Sequence, residues 1–276
     1  MKGIAFIKAA VLAIVLLAAG MVAGLPFHWD VVPAAKGEPW PIFTGLVLVA
    51  VIGAGVLTVL AERTRWRGWK LGLALALVLF LIESGLSEIE AAAFNNDLKI
   101  PLAMLVNGTA SSLIRDLIAG VAIALLWRKG DTSPARLLRG LWWKPPVIAV
   151  VYFVCYFTAG LWAFAQPATH SFYVHGPQIS LVFLSELELG RGLVWCIPAY
   201  GLARGLRGPG WSIALLTGMA FSLLMADQLL LPNAFMPWPV RCVHLAEIGV
   251  SNLVFGCLAS LVWISGSTSR SSADRP

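Results

Sequence analysis

Residues 232–252 read PNAFMPWPVRCVHLAEIGVSN. Pro232, Pro237, Pro239 and Trp238 break the chain just before a long apolar run, and Arg241, His244, Glu247, Ser251 and Asn252 stand inside that run. At about 100° per residue, His244, Glu247 and Ser251 fall within about 60° of one another, on one stripe of a helix. Hydrocarbon does not tolerate such a stripe, so it must face protein, water or a ligand. An apolar helix carrying a polar stripe is the unit from which the rest of the chain is read.

The 276 residues are 59% hydrophobic and 12% charged, with a mean hydropathy of +0.82. A soluble domain carries roughly 25% charge. The composition therefore predicts an all-α polytopic transmembrane helical bundle. Its apolar runs are continuous rather than alternating, which argues against a β-barrel. Eight spans are expected, at 4–25, 41–61, 71–93, 102–127, 145–166, 178–203, 211–231 and 240–264. Most reach the roughly 20 residues that cross about 30 Å of hydrocarbon. The first could be a signal peptide, but its unbroken apolar part, 9–25, exceeds the usual signal core, so a retained helix is expected. Cys155, Cys196, Cys242 and Cys257 lie in apolar runs without CxxC spacing and read as small buried hydrophobes.

Eight spans put both termini on one side. The termini and the loops after spans two, four and six hold fourteen Lys and Arg, while the remaining loops hold two, Lys36 and Lys99. That asymmetry places both termini in the cytoplasm, and it assigns the net charge of +6 to cytoplasmic loops rather than to nucleic acid. Trp29, Trp40 and Trp238 on one side, with Trp66, Trp127 and Trp211 among those on the other, read as interfacial belts. Shifting the chain by 138 to 141 residues matches Gly20 with Gly160, Pro26 with Pro167, Arg67-Gly68 with Arg207-Gly208, Asn95 with Asn233 and Pro101 with Pro239. If the chain is duplicated, residues 1–138 and 139–276 are two tandem four-span halves in the same orientation, with a site between them.

Eight acidic residues lie within the spans: Glu83, Glu88, Glu90, Asp116, Glu186, Glu188, Asp227 and Glu247. Each charge at a bilayer centre costs about 2.5–3.5 kcal/mol on insertion scales, so these groups must be paired, protonated or hydrated. Glu83, Ser87 and Glu90 share a helix face. Thr109, Ser112 and Asp116 form a stripe with Arg115 beside it. Glu188 and Arg191, at i,i+3, are expected to pair, and Glu186 shares a face with Gly190. Under the charge topology, Glu90, Glu186, His244 and Glu247 sit in the outer half of the membrane, with Glu83, Arg115, Asp116, Arg191 and Asn252 nearer its middle. The cavity-lining set is then Glu83, Glu90, Arg115, Asp116, Glu186, Glu188, Arg191, Arg241, His244, Glu247 and Asn252, with His170 and His175 above it. For any one of these residues, a role in fixing helix packing is the competing interpretation. His244 and Glu247 also have the i,i+3 spacing of helical ligands in carboxylate metal sites, with Glu83, Glu90 or Glu186 to complete a shell; a packed histidine is the alternative. No Walker A, GxGxxG or HExxH motif occurs, so nothing points to ATP, a dinucleotide or a zincin.

The segments LPNAFMPWPVRCVHLAEIGVSN and SEIEAAAF resemble stretches of uncharacterised bacterial multi-pass membrane proteins. That likeness implies a bacterial inner-membrane location and no activity. A remoter likeness is to the CAAX-protease-and-bacteriocin-processing intramembrane proteases, whose motifs are EExxxR, FxxxH and HxxxN. Glu186 and Arg191 keep the first spacing, but position 187 is Leu, Phe221 is followed at +4 by Met225, and His244 is followed at +4 by Ile248, with Asn252 at +8. No catalytic role carries over.

Three functions follow. The first is transport or binding of a small polar or amphipathic solute or lipid. Glu83, Glu186, His244 and Glu247 would take up protons or cations, and Arg115, Arg191 or Arg241 would hold an anionic group. The second is an intramembrane hydrolase using Glu186 or Glu247 with His244, with or without a metal. The third is a structural or regulatory membrane subunit.

Overall fold

Prolines set where the helices begin. Pro41, Pro101, Pro209 and Pro237 stand at N-caps, and Pro145, Pro167 and Pro239 occupy first turns. There a missing N–H costs nothing and a fixed φ already suits the helix. The computed structural model describes residues 2–27, 37–93, 100–129, 136–174, 180–233 and 236–266. Its helices are α1 (Lys2–Ala23), α2 (Ile42–Arg63), α3 (Gly68–Ala93), α4 (Leu102–Leu126), α5 (Lys144–Phe164), the short α6 (Pro167–Tyr173), α7 (Leu181–Gly205), α8 (Gly210–Ala226, extended by a 3-10 turn, Asp227–Leu230) and α9 (Trp238–Ile264).

The chain is an all-α polytopic bundle. Among the described residues, seven helices are long and apolar enough to cross a membrane. The eighth long helix, α7, has 25 residues but carries Glu186, Glu188, Arg191 and Arg204, which lower its hydropathy. Two local features depart from the expected spans. Residues 167–173, read from sequence as loop, form α6. Within α3, Phe80–Gly85 winds as a π-helix. His175, Lys36 and Lys99 lie outside the described residues.

The eight long helices fall into two sets of four with the same packing plan. In each set the first helix packs on the second and fourth, and the third on the fourth. Between sets, α2 packs on α8 and α3 on α7. The link between the sets is also reciprocal. Thr64 and Leu206 form an antiparallel bridge; Arg65 N–H donates to Gly205 O and Arg207 N–H to Arg63 O, each at 2.8 Å. The pairs 63/205, 64/206 and 65/207 share one separation, which also relates the starts of α1 and α5 and the starts of α3 and α8. The starts of α2 and α7 and of α4 and α9 are 139 and 136 residues apart.

Packing within each set uses small residues where backbones meet. On α3 and α4 a Cβ added at Gly120 would lie 2.8 Å from Gly72 O. On α8 and α9 a Cβ added at Gly256 would lie 2.8 Å from Gly218 Cα. Only glycine allows such contact. In the second set each long helix gives one ring to a common aromatic core. Trp195 lies 5.9 Å from Tyr152 and 5.0 Å from Phe221, and Phe221 lies 5.5 Å from Phe255. Lys144, fully buried at the start of α5, donates to Trp263 O and Ser265 O at 2.9 and 2.8 Å, satisfying carbonyls at the end of α9.

Candidate functional site

The polar side chains gather in three places rather than in one shared chamber. The largest centre lies among α5, α7 and α9. Arg191 on α7 is 2% exposed. Its Nη1 donates to both Glu188 oxygens at 2.9 Å, and its Nη2 reaches Glu90 Oε2 at 2.8 Å. The i,i+3 pair expected within α7 is therefore present, and Glu90 joins it from the end of α3 in the other set. One turn of α9 supplies the opposite wall. His244 Nδ1 bonds Glu247 Oε2, and Tyr173 at the end of α6 lies 2.9 Å from His244 Nε2. A carboxylate on Nδ1 favours the Nδ1–H tautomer, which leaves Nε2 to accept from the phenol O–H. Burial, followed by the charges of Glu247 and Glu90, pushes the Tyr173 phenol up to about 12, so it remains a neutral donor.

Between these walls is a pocket of about 160 Å³. Its lining adds Tyr152, Cys155, Tyr156, Met225, Ile248, Ser251, Asn252 and Phe255 to Glu90, Tyr173, Arg191, His244 and Glu247. Asn252 is 7% exposed; its Nδ2 donates to Ile248 O at 3.0 Å, while its Oδ1 has no hydrogen-bond partner among the described residues.

The second centre is in the first set. Arg115 on α4 bonds Glu83 at 2.6 Å and Asp116 at 2.8 Å. Glu83 sits on the π segment of α3. In a uniform helix Glu83 and Glu90, seven residues apart, share a face. The wider π turn changes the phase between them, so one meets Arg115 and the other Arg191. Asp227 is also buried, and both its carboxylate oxygens lack partners among the described residues. A pocket of about 40 Å³ beside Arg115 and Glu83 is otherwise walled by apolar residues of α1 and α2.

The third centre is a tie. Arg241, fully buried, bonds Glu38 and Leu231 O and lies 5.2 Å from the Trp238 ring. It joins the start of α9 to the segments before α2 and after α8 and lines neither pocket. Glu186, expected in the cavity, is exposed on α7 and also lines neither pocket. His170 packs edge-on against Phe164, with 4.9 Å between ring centres. Among the described residues, no group of three His, Cys, Asp or Glu side chains is placed to hold a metal ion. Both nitrogens of His244 are engaged in hydrogen bonds, Nδ1 with Glu247 and Nε2 with Tyr173.

Sequence reasoning passed over Tyr152, Tyr156, Tyr173 and Cys155 in the pocket, and Glu38 in the tie. A tyrosine in an apolar run gives no signal to separate a pocket wall from core. No family model, curated protein or solved structure matches the chain.

Proposed function

We propose that this membrane protein binds a small polar solute in the pocket among α5, α7 and α9 and moves it to or from the non-cytoplasmic side. The observation that supports this most strongly is the concentration of Glu90, Arg191, His244, Glu247 and an unpartnered Asn252 oxygen around one space inside a hydrophobic bundle. Polar groups within a membrane that serve packing alone are closed on one another, whereas here they border a void. The chain from Tyr173 through His244 to Glu247 gives a proton a route between the short helix α6 and the pocket wall.

Cys155 lines this pocket and serves as its reporter. In sealed vesicles of each orientation, the membrane-impermeant cationic reagent trimethylammonioethyl methanethiosulfonate is expected to modify Cys155. Modification from one face supports binding, and modification from either face supports passage. No modification from either face refutes a water-filled site.

Hydrolysis is a second reading, favoured by one geometric fact. A carboxylate on His244 Nδ1 and a hydroxyl on Nε2 follow the order of an acid–base–nucleophile triad, with Tyr173 in the nucleophile's place. It predicts a covalent adduct on Tyr173 with an activated ester or phosphonate probe, lost in Tyr173→Phe.

A further inference from the structure

Resting on the reading of the pocket as a binding site, we propose that its ligand class is a small organic ammonium ion. Charge is the first argument. Glu90 and Glu247 line the pocket, and Glu188 pairs with Arg191 without lining it. Three carboxylates thus face one permanent cation, and that cation is committed: Arg191 Nη1 holds Glu188 and Nη2 holds Glu90. A bound anion would add to the surplus of negative charge in a low-dielectric site, while a bound cation offsets it.

Hydrogen bonding is the second argument and is independent of charge. The Asn252 side chain is 7% exposed, and its Oδ1 is an acceptor with no donor among the described residues. An ammonium N–H is the group it lacks. One buried donor of the same wall, Arg191 Nε, is also unanswered; a hydroxyl or ester oxygen on the amine would accept from it.

The third argument is the aromatic wall. Tyr152 lies 6.2 Å from Tyr156 and 5.1 Å from Phe255, ring centre to ring centre. The Arg191 guanidinium carbon is 5.9 Å from the centre of the Tyr152 ring, so this wall already holds one cation against a π face. A volume of about 160 Å³ is close to that of a cavity known to hold benzene, which limits the ligand to about six to ten non-hydrogen atoms.

Ammonium chemistry of this size is offered by free amines and by the phosphatidylethanolamine headgroup, and the test separates them. The full-length protein is reconstituted in phosphatidylglycerol vesicles. N-ethylmaleimide labelling of Cys155 is followed by peptide mass spectrometry, with the exposed Cys242 of the same molecules as reference. One arm adds ethylammonium or 2-hydroxyethylammonium chloride against sodium chloride of equal ionic strength; the other adds phosphatidylethanolamine to the vesicles. The expected result is a tenfold or greater slowing at Cys155 relative to Cys242. Slowing by the soluble salts identifies a free amine, and slowing only with the lipid identifies the headgroup. Cys155 that labels freely in both arms overturns the ammonium assignment and leaves the pocket standing. Cys155 that never labels removes the pocket and the assignment together. Glu247→Gln, with Glu90→Gln as a second variant where the first does not fold, is expected to lose the protection; protection unchanged in the folded variant overturns the proposal.

Discussion

Arg191→Met tests whether the centre behaves as the physics requires. The guanidinium is 2% exposed and holds two carboxylates of unequal burial: the Glu188 side chain is 0% exposed and that of Glu90 is 30% exposed. Removing the cation strands Glu188 in a dry site, and breaking a buried pair in this way costs about 3–5 kcal/mol. Neutralising the stranded partner should recover most of that loss, so Arg191→Met with Glu188→Gln should cost about 1 kcal/mol, as expected when both ends of a buried pair are removed. Glu90→Gln alone leaves Arg191 paired to Glu188, and because Glu90 reaches solvent its loss should cost about 0.5–1 kcal/mol. The assay is reversible unfolding in mixed micelles, read by tryptophan fluorescence and run as a double-mutant cycle. A double variant as unstable as Arg191→Met would show that the penalty is lost packing rather than a stranded charge. Glu90→Gln as damaging as Arg191→Met would refute the order of burial on which the reasoning depends.

Further outcomes follow from the other contacts. Gly120→Leu on α4 and Gly256→Leu on α9 should each prevent close helix approach and cost more than about 3 kcal/mol, seen as loss of the monodisperse peak in detergent. Lys144→Met leaves the carbonyls of Trp263 and Ser265 without their donor and should cost about 1–3 kcal/mol in the same unfolding assay. The raised Tyr173 phenol contributes stability that is complete below the ordinary tyrosine value near 10 and is lost as pH rises through about 12; Tyr173→Phe should flatten that part of the pH–stability curve. Residues 1–130 and 135–276, co-expressed as separate chains, should purify together, because the reciprocal bridge and the Glu90–Arg191 pair cross between them.

Much of the scaffold was legible because lipid imposes simple rules. Apolar runs, prolines at helix starts and the Glu188–Arg191 spacing are local properties that one sequence displays. The arrangement of the site was not local. Glu83 and Glu90 look like neighbours on a regular helix, and nothing in FLIESG announces a π turn that separates them. Glu186 is expected in the cavity with Glu188, yet only Glu188 turns inward, a choice made by what α7 packs against. Arg241 finds Glu38, far away in the chain, and such a pairing has no periodic signature. The tyrosines of the pocket are indistinguishable from core residues until α5, α6 and α9 are seen together.

The bridge at Thr64 and Leu206 has a mechanical consequence. It lies at one end of the bundle, next to the start of α3, whereas Glu90 is 22 residues further along that helix. At 1.5 Å per residue the lever arm is about 33 Å. Rocking one half against the other by about 3° at this fulcrum displaces the Glu90 end by about 1.7 Å, enough to pull its oxygen out of ion-pair reach of Arg191. The Arg241–Glu38 pair and the Trp40 bond to Leu230 O join the same two halves at the Glu90 end, so the halves are clamped at both ends and that displacement is opposed.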